Sequence, residues 1–207
     1  MIMNRLTVVV PTIGNRANLE KMLTTFSKNV TVKSNFIIIK DGCNRPRDIE
    51  IDSWITGEAQ LQRIITLPQN QGVGCARFVG TEEAMKRRGL ILHMDDNAYP
   101  GKGSVEKAIQ WKRETKVEIV AALGMLGISR PYDLQKSCMF WSTTLGTFFC
   151  LTDSRLHNQI GNFQPWLRIG EDRDLSIRAW RARKRIGLIS NNVNHVRLKT
   201  RSPKHYM

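Results

Sequence analysis

The sequence predicts an α/β fold: a mixed, mostly parallel, doubly wound sheet flanked by helices, in a single domain. Three observations carry that expectation. Short apolar, β-branched runs alternate with stretches of helical periodicity along the 207 residues, as βαβ units require. Two of the runs end in aspartate, at Asp41 and at Asp95-Asp96. Between them a glycine-rich turn, Asn70-Gln71-Gly72-Val73-Gly74, leads into a helix. Ligands on doubly wound sheets sit beyond the carboxyl ends of the strands, so both acidic ends should face one crevice.

Each element follows from its own pattern. Leu6-Thr7-Val8-Val9-Val10 reads as a buried strand closed by Pro11. Leu19, Met22, Leu23 and Phe26 recur at i, i+3, i+4 and i+7, the stripe of an amphipathic helix. Phe36 to Ile39 is a second strand, and Ile64 to Leu67 a third, stopped by Pro68. Ala76 to Arg88 reads as a helix that Gly80 weakens. Leu90 to Met94 is a fourth strand, and Ser104 is placed to cap a helix carrying Val105, Ala108 and Ile109. Glu118 to Ala122 and Thr147 to Leu151 are further strands. Asp174 to Lys184 is a basic helix with Leu175, Ala179 and Ala182 inward, and Ile186 to Ile189 a late strand. The domain is expected over residues 1–196, followed by a polar, basic tail over 197–207.

Composition excludes several classes. With 41% hydrophobic and 24% charged residues, the chain should be globular rather than disordered. No apolar run approaches the ~20 residues that span a bilayer, and the first residues lead straight into a strand rather than a signal peptide. Cys43, Cys75, Cys138 and Cys150 are scattered, without the CxxC spacing of a zinc or redox site. Reduced thiols in a cytoplasm are the expectation. The net charge is +14, and it is uneven: 12 Lys/Arg against 3 Asp/Glu from Arg155 onward leave +9 there and +5 over the first 154 residues. Such a basic surface attracts polyanions, nucleic acid or anionic lipid.

The motifs point to chemistry at the strand ends. Asp95-Asp96-Asn97 follows a strand, where a carboxylate can hold a divalent cation bridging two phosphates. Asp41, followed by Gly42, is placed to accept hydrogen bonds from a base or ribose, or else belongs to a common turn. Backbone N–H groups of the Asn70 to Arg77 turn can hold an anion at the start of the helix. A buried Arg77 there would require an anion or carboxylate as partner. In Gly170-Glu171-Asp172-Arg173-Asp174-Leu175, the acids suit a helix N-terminus. Glu171 or Asp172 can also serve as general base toward an acceptor hydroxyl.

Taken together these residues resemble the family 2 glycosyltransferases of the GT-A fold, from about Thr7 to Leu188. Val9-Val10-Pro11-Thr12 with Asn15-Arg16 resembles the family's opening strand and helix. Ile39-Lys40-Asp41-Gly42-Cys43 resembles its Asp-Asp-Gly-Ser element, with lysine at the first aspartate. Asn70-Gln71-Gly72 with Ala76-Arg77 and Gly80 resembles its Asn-x-Gly-x-x-x-Ala-Arg-x-x-Gly signature. Asp95-Asp96 resembles its DxD metal site, in one of two registers: His93-Met94-Asp95, or the acidic pair followed by Asn97. Ile160-Gly161-Asn162-Phe163 and Gly170-Glu171-Asp172-x-Asp174-Leu175-x-x-Arg178 resemble its Gly-Gly-Phe and Gly-Glu-Asp block. The Gln-x-x-Arg-Trp motif of the processive enzymes is absent.

The resemblance implies a metal-dependent, inverting, non-processive transfer of a sugar from a nucleotide sugar, a UDP-sugar first, to a hydroxyl. It implies donor contacts from Pro11, Thr12, Asp41, Asn70, Gly72, Arg77, Asp95 and Asp96. Asp95 and Asp96 would carry Mn²⁺ or Mg²⁺, and Asp172 would be the base, with Glu171 its alternate. The favoured acceptor is DNA bearing a hydroxymethylated pyrimidine, as for virus-encoded DNA-modifying enzymes, in the host cytoplasm if the source is viral. Arg178, Arg181, Arg183, Lys184 and Arg185 are then expected to hold phosphates. The alternatives are a peripheral enzyme of cell-surface polysaccharide synthesis, a non-catalytic nucleic-acid-binding protein on the same scaffold, and a nucleotidyltransferase.

Overall fold

A computed structural model describes residues 6–122, 139–143, 145–189 and 193–196. Its strands are β1 (Leu6–Thr12), β2 (Ser34–Asp41), β3 (Ala59–Leu67), β4 (Leu90–Met94), β5 (Ala98–Pro100), β6 (Ile119–Ala122), β7 (Met139–Ser142), β8 (Phe149–Asp153), β9 (Ile186–Ile189) and β10 (Val193–His195). Its helices are α1 (Arg16–Asn29), α2 (Asp48–Ser53), α3 (Val73–Met85), α4 (Ser104–Thr115), α5 (Ser154–Ile160) and α6 (Glu171–Arg181). The tail expected over 197–207 lies outside the described residues, as does Cys138. Among the described residues no helix is long and apolar enough to cross a membrane.

One eight-stranded sheet runs in the order β3-β2-β1-β4-β8-β6-β9-β7, and β10 pairs with β5 in a small second sheet. β1 is parallel to β2 and to β4, and β2 to β3. β8 is antiparallel to β4 and β6, and β7 antiparallel to β9. The chain leaves β1 toward β2 and β3 on one side, then returns to place β4 on the other. That reversal opens a crevice at the carboxyl ends of β1 and β4.

Strand alternation divides the core between two faces. Val8 and Val10 pack with Leu19, Met22, Leu23 and Phe26 of α1 and with Val105, Ala108 and Ile109 of α4. Val9, Ile37, Ile39 and Ile91 face the other way, onto Ala76 and Ala84 of α3. Beside them Ile119, Cys150 and Ile186 meet Leu156 of α5 and Ala179 of α6. Gly80, expected to weaken α3, has a packing reason: a Cβ there would run into Cγ1 of Val9. The missing side chain lets the helix lie directly on the sheet.

Several boundaries differ from the sequence expectation. The strand expected at Thr147 begins at Phe149, because Thr147 and Phe148 turn into the crevice. Ser104 is the first helical residue and Gly103, in the left-handed region, is the cap. α6 starts at Glu171 rather than Asp174 and ends at Arg181, which leaves Ala182 exposed. α5 is capped by Asp153, whose carboxylate accepts from the Leu156 amide at 2.8 Å; this is a standard N-cap signal.

Candidate functional site

A cleft of about 410 Å³ opens at the carboxyl ends of β1, β2 and β4. Pro11, Thr12, Asp41, Arg77, Asp95, Asp96, Glu171 and Asp172 line it, together with Phe148 and His195. Residues from Pro11, near the start of the described chain, to His195, near its end, meet here. Asn70 and Gly72 do not line it: the Asn70 side chain and carbonyl accept from Arg168, and Gly72 packs beneath Arg168.

Arg77 is the centre of the arrangement. Its side chain is 1% exposed, so its charge requires compensation. Asp95 supplies it through Nη2, and Glu171 through Nε at 3.4 Å. Nη1 has no hydrogen-bond partner among the described residues. Thr147 donates to the same Glu171 oxygen at 3.0 Å. Glu171 is therefore buried and held by two donors, whereas the Asp172 carboxylate beside it stands on the cleft wall and is half-buried. Of the two candidate bases, Asp172 is the one open to a ligand. Glu171 positions Arg77.

Asp41 differs from expectation in a similar way. Its two oxygens accept from the amides of Gln71 at 2.7 Å and Gly72 at 2.9 Å. The anion that the glycine-rich turn was expected to hold is thus the protein's own carboxylate, delivered by the end of β2. Gly42 makes that turn possible, with φ +70° and the Asn70 backbone pressed against the place a Cβ would take. Asp41 ties β2 to the start of α3 and still borders the cleft.

The two acids after β4 have unlike surroundings. Burial pushes the Asp95 carboxyl up, but Arg77 and His195 outweigh it and hold it below the usual carboxylate range. Asp96 is pushed up to about 6, by burial first and by the charge of Asp95, against the hydrogen bond of 2.7 Å from Thr12 Oγ1. Of the two registers considered for the metal motif, the one using His93 fails. His93 is fully buried inside the sheet, against Thr152, His157 and Phe163. Asn97 is also engaged, its Nδ2 donating to the Val196 carbonyl.

His195 escaped the sequence reading. It stacks on Phe148 with centroids 4.6 Å apart, and its Nε2 lies 3.4 Å from Asp95 Oδ2. The β5–β10 pairing and the reciprocal Asn97–Val196 hydrogen bonds bring it there. Its only sequence signal was an unassigned histidine roughly a hundred residues after the acidic pair.

Among the described residues no three His, Cys, Asp or Glu side chains are gathered as a finished metal site. The donor set nonetheless suits a hard cation completed by substrate oxygens, because two carboxylates and phosphates suffice. The cleft holds five carboxylates against Arg77 and His195. A diphosphate would be repelled from it without a further positive charge. Asp95 and Asp96 would hold Mn²⁺ or Mg²⁺, with His195 within reach.

The residues expected to bind an acceptor polyanion lie away from this cleft. Arg178 is committed to the fold: Nε and Nη2 donate to Asp174, and Nη1 to the carbonyls of Ile160 and Gly161. Arg185 meets Glu118 and the Lys116 carbonyl. Arg181 is the last residue of α6, at the end opposite Asp172, and Arg183 and Lys184 follow it.

No protein-family model matches the chain, and no curated protein sequence does. Solved structures do match. S. aureus TarS 1-349 in complex with UDP-GlcNAc superposes with a TM-score of 0.73 at 18% identity, over 97% of this chain and 61% of that one. S. aureus TarS 1-349 gives 0.69 at 19%, over 90% and 58%. GalNAc-T7 with UDP, GalNAc and Mn²⁺ gives 0.75 at 14%, over 95% and 44%. The chain spans about three-fifths of the TarS 1-349 structures. This likeness shows the fold, which is GT-A: a mixed, mostly parallel sheet flanked by helices.

Proposed function

We propose that the protein is a metal-dependent, inverting, non-processive glycosyltransferase that uses a nucleotide sugar, a UDP-sugar first, as donor. The observation that carries this reading is the cleft itself. At the switch point of a GT-A sheet it gathers Asp95, Asp96 and His195 on one side and Asp172 on the other, around a buried arginine. The ligands of the similar structures, UDP-GlcNAc for TarS and UDP, GalNAc and Mn²⁺ for GalNAc-T7, support it.

In this reading Asp172 accepts the proton of the acceptor hydroxyl. The hydroxyl oxygen bonds to the anomeric carbon from the face opposite the leaving group. The bond from that carbon to the diphosphate breaks, and its electron pair leaves with the diphosphate. The chemistry a divalent cation supplies when bound at Asp95 and Asp96 is neutralisation of charge on the leaving diphosphate. Arg77 keeps one donor, Nη1, for a ligand oxygen, while Glu171 and Thr147 hold its orientation. The acceptor we favour is DNA bearing a hydroxymethylated pyrimidine, on the strength of the +14 net charge.

A peripheral enzyme of cell-surface polysaccharide synthesis is the second reading. One observation favours it: Trp166, Ile169, Ile177 and Trp180 are 42–72% exposed on a segment that also carries Arg168, Arg173 and Arg181. Such a mixture suits a membrane interface.

Thermal shift with UDP and Mn²⁺, followed by assay of UDP release from UDP-sugars, tests the donor reading. Ligand at about 100 times its Kd adds about 2.7 kcal/mol, or about 5–10 °C for a chain of this size. UDP and Mn²⁺ together should stabilise more than either alone. No shift and no hydrolysis with any nucleotide sugar would leave the non-catalytic binding protein. Release of pyrophosphate in place of a nucleoside diphosphate would indicate a nucleotidyltransferase.

A further inference from the structure

A second recess, of about 750 Å³, opens at the opposite ends of the central strands. It is lined by Leu90 at the start of β4, by Val117 and Glu118 before β6, and by Lys184 before β9. These are the amino-terminal ends of β4, β6 and β9, which run in one direction, and the carboxyl end of β4 faces the cleft. Across β4 alone, Leu90 and Asp95 are separated by roughly 16 Å at 3.3 Å per residue.

The recess is strongly basic, and its acids are already neutralised. Asp153 meets Lys112 Nζ at 3.0 Å, and Glu118 accepts from the Arg185 amide at 2.9 Å with its guanidinium alongside. That leaves Arg113, Lys116, Arg155 and Lys184, which meet no carboxylate among the described residues. Arg87 and Arg88, both exposed, immediately precede the lining Gly89. Several separated cations around one hollow suit a chain of phosphates better than a single phosphate. The apolar liners Leu90, Ile109, Val117 and Leu156 are all buried. With no apolar side chain free to insert, a bilayer has little to gain here.

We propose that this recess is a second binding site, remote from the cleft, for the phosphodiester backbone of a nucleic acid. The proposal deepens the reading of a nucleic-acid acceptor and rests on it for its purpose. The stretch held in the recess is not the stretch that reacts. At 3.4 Å per base pair the two are separated by at least about five base pairs. The recess therefore acts as a tether, raising the local concentration of the acceptor at Asp172.

The experiment is fluorescence anisotropy with a labelled duplex and its single strand, between about 50 and 200 mM salt. Three proteins are compared. They are wild type, the triple variant Arg113→Glu, Lys116→Glu, Arg155→Glu, and a control triple variant, Lys28→Glu, Lys33→Glu, Lys102→Glu. The last changes net charge equally at exposed positions elsewhere. The recess variant should lose more than about tenfold in duplex affinity at low salt, and its salt slope should fall by about two to three. The control should lose only a few-fold. Equal losses in both variants, no loss in either, or no binding by wild type would overturn the proposal. So would binding of phosphatidylserine vesicles with the same dependence on the recess residues, which would assign the recess to a membrane. A UDP and Mn²⁺ thermal shift retained in the recess variant shows that it is folded. Absence of that shift in wild type defeats the transferase reading and leaves the anisotropy result standing.

Discussion

Asp172 and Glu171 are neighbours to which the proposed mechanism gives opposite duties, and substitution separates them. Asp172→Asn should leave UDP affinity and melting temperature nearly unchanged while turnover falls about 10²–10⁴-fold. Steady-state kinetics with calorimetric UDP titration checks both. Glu171→Gln should instead lower stability, because among the described residues Arg77 then keeps Asp95 as its one charged partner. Breaking a buried pair outright costs about 3–5 kcal/mol, so with Asp95 still in place a loss of about 1–3 kcal/mol in urea unfolding is expected. An enzyme killed by Glu171→Gln but still active as Asp172→Asn would transfer the base role to Glu171. His195→Ala should raise the Mn²⁺ concentration needed for UDP binding about tenfold or more. Unchanged metal dependence in that variant would remove His195 from the site.

The element that best separates local propensity from packing is α3. At an exposed helical position, alanine in place of glycine gains about 1 kcal/mol. Gly80 faces Val9 on β1, whose branched side chain is fully buried and has nowhere to move. Gly80→Ala is therefore expected to destabilise, and Gly80→Leu to cost about 1–3 kcal/mol or more. The midpoint of urea unfolding measures both, and a stabilised Gly80→Ala would show that α3 does not press on the sheet. A similar contrast runs through the elements of the candidate site. The strand-end acids and the Gly-Glu-Asp block were legible because each is a local pattern. β10 carried no such pattern. It exists because β5 offers an edge to pair with, and that pairing is what carries His195 to Asp95.

Acid sensitivity belongs to the molecule as a whole. His157 is a buried residue of α5, its Nε2 3.0 Å from Thr152 on β8 and its ring against His93 and Phe163. Burial pushes its pKa down to about 4, with Arg178 and Lys112 acting the same way and Asp153 opposing. His93 is held well below the ordinary value of 6.5 by burial, then by His157 and Arg77. Unfolded histidines take up protons first as pH falls, so the folded state is favoured fully above pH 6.5 and loses ground down to about pH 4. His157 alone accounts for a loss on the order of 3 kcal/mol over that window. Melting temperatures from neutral to acid pH should show the fall, and His157→Gln should flatten it. A profile equally steep in His157→Gln would place the titration elsewhere.

The α/β class, the two-faced core and the acids at the strand ends follow from the chain read in order. Hydrophobic period, turn chemistry and helix caps act over a few residues, and those few residues are visible together. Arg77 shows where such reading stops. That a buried Arg77 would need an anion or a carboxylate could be stated from its place at a helix start, but the partners, Asp95 and Glu171, lie 18 and 94 residues away. The +9 carried from Arg155 onward was equally plain in the sequence. Its division was not: Arg178 turns inward to strap Asp174 and the Ile160 carbonyl, while Arg155 and Lys184 join Arg113 and Lys116 around a recess at the amino-terminal ends of the central strands. Charge is a property of composition. Which charges are neutralised, and which remain free on one surface, depends on distances that exist only once the sheet has closed the chain on itself.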